Sequence, residues 1–225
     1  MSSRLSRELR TPVAVVRSSL EHLGLQQLNP DTRKYVDRAQ EGVNRLNMIL
    51  NNMSEATRLE ESLSHAETSV FPLEKVISGC MQGYQMTYPT QQFSLDITQN
   101  ASPVLGVPEY IAQLMDKLIA NALEFSHDHS PIAVSLQLKG KFAELTISNQ
   151  GPALPDNMAE QIFESMVSVR AQKSQDKPHL GLGLYIARLI CQFHHGKIYA
   201  TNTEDVAGVI NGVQISITLP LSKEA

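Results

Sequence analysis

The amino-acid sequence predicts an α+β protein in which an antiparallel helical hairpin precedes a mixed sheet with helices on one face. Along residues 1–64, apolar residues recur every three or four positions, which is typical of long coiled-coil-like helices. After residue 71, helical periodicity alternates with short strand-like stretches and a hairpin, a mixture that indicates an α+β layer. We therefore predict a helical domain at residues 1–64, a linker at 65–71 and a second domain at 72–225.

The composition is that of a globular protein. The chain has 225 residues, of which 42% are hydrophobic and 19% charged, so it is neither disordered nor fibrous. Its net charge of −4 argues against a nucleic-acid partner, because nucleic-acid-binding proteins usually carry a basic excess. No apolar run approaches the roughly 18–20 residues that a membrane-spanning helix needs, so we expect no membrane segment in this chain.

The helical domain carries one apolar seam on each of two helices. The break between Gly24 and Pro30 is short, so the helices should lie antiparallel. One hairpin cannot bury both its seam and its flanks, and a homodimeric four-helix bundle would do so. The alternative is a hairpin packed on its own C-terminal domain. The seam consists of Leu9, Val13, Val16, Leu20, Leu23, Val36, Ala39, Val43, Leu46, Leu50 and Met53.

The second domain is predicted as a series of short elements. Helical periodicity covers residues 73–84, 108–126 and 183–194. Strand-like alternation covers residues 92–97, 104–107, 133–138, 142–148, 197–201 and 213–219. Residues 150–180 form a polar connection longer than usual, which favours a functional loop.

Three stretches of this domain together indicate nucleotide binding. Gly181 and Gly183 open a helix, where unpaired N–H groups and the helix dipole attract phosphate. Asn121 offers a carboxamide oxygen, a hard ligand suited to Mg²⁺. Asn149, at the exit of a strand, can present both a donor and an acceptor to a purine edge. Each stretch alone is weak, but their order along the chain is specific.

On these motifs the chain resembles the cytoplasmic core of a bacterial sensor histidine kinase. Residues 5–20, LSRELRTPVAVVRSSL, are similar to the H-box of the HisKA dimerisation and phosphotransfer domain. The stretches around Asn121, Asn149 and Gly181–Gly183 resemble the N, G1 and G2 boxes of the catalytic ATP-binding domain, and residues 162–166 resemble its F box. The resemblance implies a Bergerat-type α/β sandwich that uses ATP and Mg²⁺.

The resemblance also implies a reaction, and one departure bears on it. In the family, a His attacks the γ-phosphate of ATP and passes the phosphoryl group to an Asp of a response regulator. Arg7 stands at the phosphoacceptor position, Glu8 matches the residue taken as the base, and Thr11 matches the residue that orients water for dephosphorylation. Because a guanidinium stays protonated and has no nucleophilic lone pair, we expect autophosphorylation to be blocked, whether Arg7 is engineered or natural.

Several residues of the nucleotide site follow from the resemblance, with further departures. Lys117 stands where the family often has Asn, Glu124 where it has a basic residue, and Asn149 where it has the Asp that binds the adenine amino group. The residues implied to contact the nucleotide are Asn121, Asn149, Gly151, Arg170, Gly181, Leu182, Gly183 and Leu184, with Asn121 as the metal ligand.

Two other functions stay open at this point. A non-catalytic pseudokinase scaffold that dimerises and docks a response regulator is the main alternative, and a stand-alone ATPase is a weaker one. We expect a soluble cytoplasmic fragment of a protein of the bacterial inner membrane. The pairs His127 with His129 and His194 with His195 lack a complete ligand set, so we interpret them as surface or helix-end residues.

Overall fold

A computed structural model describes residues 2–98, 102–155, 158–164 and 182–222, with side chains from residue 8 onward except at position 52. The chain divides into two compact units, the first comprising the N-terminal residues up to Ser64 and the second starting at His65. Within the described residues, no helix combines the length and the apolar character needed to cross a membrane.

The first unit is a helical hairpin of α1 (Ser2–Gly24) and α2 (Pro30–Leu63), as predicted. The connection is fixed locally: the Asn29 side chain accepts a hydrogen bond from the Thr32 N–H at 2.8 Å and caps α2. Arg33 of α2 donates to the Gly24 carbonyl at 3.0 Å and holds the end of α1. Pro30 occupies the first turn of α2, where no N–H is required.

Only part of the predicted seam is buried within this hairpin. Val43 and Leu50 of α2 are buried. In contrast, Leu9, Val16 and Leu23 of α1 and Leu46 of α2 are each more than two-fifths exposed in the single chain. The hairpin alone therefore leaves an apolar stripe uncovered.

The second unit is built on a five-stranded mixed sheet of order β2-β4-β5-β7-β6. β2 pairs with β4 in parallel, and the remaining pairs are antiparallel. A separate antiparallel pair joins β1 to β3. The strands are β1 (Ser69–Pro72), β2 (Phe93–Ile97), β3 (Pro103–Gly106), β4 (Ile132–Lys139), β5 (Phe142–Gln150), β6 (Lys197–Glu204) and β7 (Ile210–Pro220). The helices are α3 (Leu73–Thr87), α4 (Pro108–Phe125) and α5 (Gly183–Phe193), with a 3-10 turn at Gln161–Phe163.

Side-chain alternation gives this sheet one apolar face. Val134 of β4 pairs with Ile147 of β5, which in turn pairs with Ile215 of β7, so the three lie in one row. All three are buried, and successive residues of a strand point to opposite faces. Helix α4 packs on the sheet with an apolar stripe that includes Leu118, which is fully buried. The predicted α+β fold with helices on one face is confirmed.

The β1–β3 pair is the main element that the sequence analysis did not predict as a sheet. β1 lies at the end of the segment 65–71, which was expected to be a linker running into an extended stretch. Its four residues pair with β3 from Ser69 opposite Gly106 to Pro72 opposite Pro103. Such short segments carry too little alternation to indicate their partner.

Candidate functional site

The end of α4 meets the exit of β5 at Gly151. The His127 N–H, just after α4, donates to the Gln150 carbonyl at 2.8 Å. Gly151 is buried, and a Cβ built on it would lie only 2.0 Å from the Phe125 carbonyl oxygen. Only glycine therefore permits this approach of helix to strand.

Asn149 lies beside this junction with a buried side chain. Its backbone sits between Ile132 of β4 and Val213 of β7, so it is held from both sides of the sheet. The residue is 8% exposed, and its Nδ2 atom is buried without a hydrogen-bond partner in the part of the chain that the structure describes. A Cβ on Gly151 would stand 3.1 Å from that Nδ2. A buried, unpaired N–H group next to a glycine is the feature expected where a polar ligand docks.

A residue that the sequence analysis missed fixes the loop after Gly151. The side chain of Asn202, on β6, accepts from the Leu154 N–H at 2.7 Å and donates to the Leu154 carbonyl at 3.1 Å. The carboxamide thus pairs with both the N–H and the carbonyl of Leu154, as a neighbouring strand would, and it holds the loop after β5 in place. No local pattern could indicate Asn202, because its partner lies far along the chain.

Helix α5 begins at Gly183. Among the described residues, no atom lies within 4 Å of a Cβ built on Gly183, and no side chain caps the helix. Leu182 is buried and Leu184 is half-buried, so both anchor the start of the helix. Helix α5 packs against α4, on which Asn121 is half-buried. The predicted site residues Gly181 and Arg170 lie outside the described residues.

The predicted F box is described for its first three residues. Ile162 and Phe163 are buried in the 3-10 turn, which contacts α5. Residues 165 and 166 lie outside the described ranges.

His194 joins α5 to the start of α4. It is buried at the end of α5, so of the two expected interpretations, surface or helix-end residue, the second holds. Its Nδ1 donates to the Ile190 carbonyl at 2.8 Å, and its Nε2 accepts from the Val107 N–H at 3.1 Å. This pattern requires the neutral ring. Burial lowers the pKa of His194, and the Nδ1 hydrogen bond to the Ile190 carbonyl only partly opposes that effect. A Cβ on Gly106 would overlap the ring at 2.0 Å, so this glycine makes room for it.

The predicted phosphotransfer residues lie together on α1. Arg7 belongs to the helix, and its side chain lies outside the described part. Glu8 and Thr11 are exposed one turn apart, so they share a face of α1.

The described residues contain no group of three or more His, Cys, Asp and Glu side chains that could hold a metal ion.

Comparisons with known proteins agree with this arrangement. The family described as "Histidine kinase-, DNA gyrase B-, and HSP90-like ATPase" matches residues 106–223, and the "His Kinase A (phospho-acceptor) domain" matches residues 1–62. The sensor protein ChvG of Agrobacterium fabrum is 26% identical over 228 residues, which cover 97% of this chain and 38% of ChvG. The signal transduction histidine-protein kinase BaeS of Escherichia coli is 26% identical over 226 residues, which cover 98% of this chain and 46% of BaeS.

The chain thus spans less than half the length of these two relatives. The crystal structure of histidine kinase ThkA in complex with the response regulator TrrA matches with a TM-score of 0.65 at 22% identity, covering 99% of this chain and 61% of that chain. At this identity the likeness shows the fold alone, and it agrees with the expected α/β sandwich. Since the ATPase family matches more than half of the chain and a HisKA domain precedes it, the chain belongs to the histidine kinase-, DNA gyrase B- and HSP90-like ATPases and, among them, to the sensor histidine kinases.

Proposed function

We propose that this chain is the phosphotransfer and ATP-binding core of a two-component sensor histidine kinase that acts on the Asp of a response regulator. The observation that carries the proposal is the buried amide nitrogen of Asn149 beside Gly151, where α4 meets the exit of β5; none of the described residues pairs with it. A purine edge would satisfy that group.

The remaining residues of the site suit a triphosphate. The N-terminus of α5 at Gly183, which no described side chain caps, offers backbone N–H groups and the positive end of a helix dipole to phosphate oxygens. Gly181 would let the backbone approach the same phosphate groups, and the Arg170 guanidinium would offset their negative charge. The Asn121 carboxamide oxygen would hold Mg²⁺, whose charge neutralises the phosphate oxygens that complete its shell. Leu182 and Leu184 would fix the helix end on which this contact depends.

Arg7 determines which reactions the hairpin can support. A guanidinium cannot attack phosphorus at neutral pH, so the kinase step stops at this position. Glu8 and Thr11 lie on one exposed face of α1, so a carboxylate and a hydroxyl stand on the same side of the helix. We therefore infer that the chain dephosphorylates a response regulator through Thr11 while its autokinase step is disabled.

Dimerisation is supported by the uncovered apolar stripe of the hairpin. Leu9, Val16, Leu23 and Leu46 are exposed in the single chain although they follow a coiled-coil spacing. A second hairpin would bury them in a four-helix bundle.

A second candidate is the pseudokinase scaffold, which docks a response regulator without using nucleotide. Arg7 and the unusual residues Lys117, Glu124 and Asn149 favour it, because each departs from a residue that the family uses. Titration of the whole chain with ATP and Mg²⁺ separates the two functions. Saturable binding that weakens in Asn121→Ala supports the ATP-dependent core, and absence of binding supports the scaffold.

Labelling with ATP carrying radioactive γ-phosphate tests the phosphotransfer site. We expect no label on the chain itself, and acid-labile, alkali-stable label on Arg7→His, as a phosphorus–nitrogen bond requires. Arg7→Ala is the matched control, since it removes the guanidinium without supplying an imidazole. Label on the unchanged chain, or none on Arg7→His although it binds ATP, would contradict the proposal.

A further inference from the structure

The buried amide of Asn149 has a consequence for which nucleotide the site accepts. Its backbone is fixed between β4 and β7, and the side chain is 8% exposed. The Nδ2 atom has no hydrogen-bond partner among the described residues, so the site offers a donor that the protein leaves unused. A carboxylate in the same place would offer acceptors only.

A carboxamide presents a donor and an acceptor side by side, and it can turn by 180° about its last torsion. In one orientation Oδ1 accepts from the 6-amino group of adenine while Nδ2 donates to N1. In the other orientation Nδ2 donates to the 6-oxo group of guanine or hypoxanthine while Oδ1 accepts from N1–H. A carboxylate has no N–H to donate. It accepts from the 6-amino group of adenine, whereas with a 6-oxopurine it can accept only from N1–H and then lies beside the 6-oxo oxygen, which it repels.

We propose that Asn149 makes the base site permissive for purines, so that 6-oxopurine nucleoside triphosphates bind as well as ATP. This inference rests on the proposed function, because it assumes that the purine base docks at the end of β5. Gly151 contributes by letting the Phe125 carbonyl lie against the exit of β5 without a Cβ that would crowd Nδ2.

The test is calorimetric titration of the whole chain with ATP and with inosine triphosphate, each with Mg²⁺, for the unchanged chain and for Asn149→Asp. Inosine triphosphate is the cleaner probe, because it lacks the 2-amino group of guanine. We expect the two Kd values of the unchanged chain to agree within about tenfold. Asn149→Asp should shift the ratio toward ATP by roughly 5- to 150-fold, the usual value of a bidentate base contact.

Gln150→Glu is the matched control. It adds the same charge one residue further along β5, at an exposed position whose side chain lies on the opposite face of the sheet. It should leave the ratio unchanged. Melting curves establish that each variant is folded, and if Asn149→Asp is not, the ratio for the unchanged chain decides the matter alone.

A preference for ATP greater than tenfold in the unchanged chain would overturn the inference, as would an Asn149→Asp ratio within fivefold of the unchanged one. These outcomes leave the proposed function standing, because ATP still binds. Failure of ATP itself to bind contradicts the proposed function instead.

Discussion

Replacing Gly151 by alanine should disturb the site at the point where helix and strand touch. The new Cβ would lie 2.0 Å from the Phe125 carbonyl oxygen, whereas an ordinary contact of this kind is 3.4–4 Å. One backbone must therefore move by more than about 1 Å. It would also crowd the Asn149 amide, whose Nδ2 is 3.1 Å from the Cβ position.

The size of the effect follows from the cost of overpacking. Inserting a methyl group into a closely packed site destabilises by about 1–3 kcal/mol. For a domain of this size each kcal/mol lowers Tm by roughly 2–4 °C, so Gly151→Ala should melt roughly 2–12 °C below the unchanged chain. ATP affinity should fall at least about tenfold, because the base and the shifted backbone compete for the same space.

Gly83→Ala is the matched control. Gly83 lies within α3, and a Cβ there meets nothing within 4 Å. Alanine should stabilise this helix by about 0.5–1 kcal/mol and leave ATP binding unchanged. Scanning calorimetry and nucleotide titration on both variants provide the comparison. A Gly151→Ala variant with unchanged Tm and unchanged ATP affinity would refute the reasoning.

Three further changes test the packing around the site. Because the pKa of His194 is lowered below its ordinary 6.5, the unfolded chain binds the proton first, so stability should be full above about pH 6.5 and fall as the pH drops below it. Urea unfolding across this range should show the loss of stability in the unchanged chain and in the control His127→Gln, whose histidine is exposed, but not in His194→Gln. An identical pH profile in all three would show that His194 does not cause the loss. Leu118→Ala, at a fully buried position, should lower the free energy of unfolding by about 2–5 kcal/mol, and a loss under 1 kcal/mol would argue against that packing. Asn202→Ala removes both hydrogen bonds to the Leu154 backbone, so it should lower the free energy of unfolding by about 1–3 kcal/mol and weaken ATP binding. A variant with unchanged Tm and unchanged ATP affinity would show that these two bonds do not hold the loop.

Elements with local signals were predicted closely. The helix expected at residues 108–126 is α4 (Pro108–Phe125), since proline at its first turn marks the start. The helix expected at 183–194 is α5 (Gly183–Phe193). The hairpin between β4 and β5 turns at Gly140, whose φ of 63° is the left-handed conformation that glycine adopts without strain.

Features that depend on distant partners were not predicted. The role of His194 arises only when β3 passes α5, and that of Asn202 only when β6 lies beside the loop after β5. Asn149 was singled out for its donor and acceptor, but the burial of its side chain depends on β4, β7 and Gly151 meeting around it. The residue types along the chain therefore indicate which hydrogen-bonding groups the site contains. Which of those groups are buried depends on contacts between distant segments, which the sequence pattern does not reveal.

The most direct measurement is the side-chain amide signal of Asn149 in nuclear magnetic resonance spectra of the whole chain as ATP and Mg²⁺ are added. The account predicts that this signal shifts on saturation, together with the backbone signals of Gly151 and Gly183. Saturable ATP binding that leaves the Asn149 amide unshifted would contradict it.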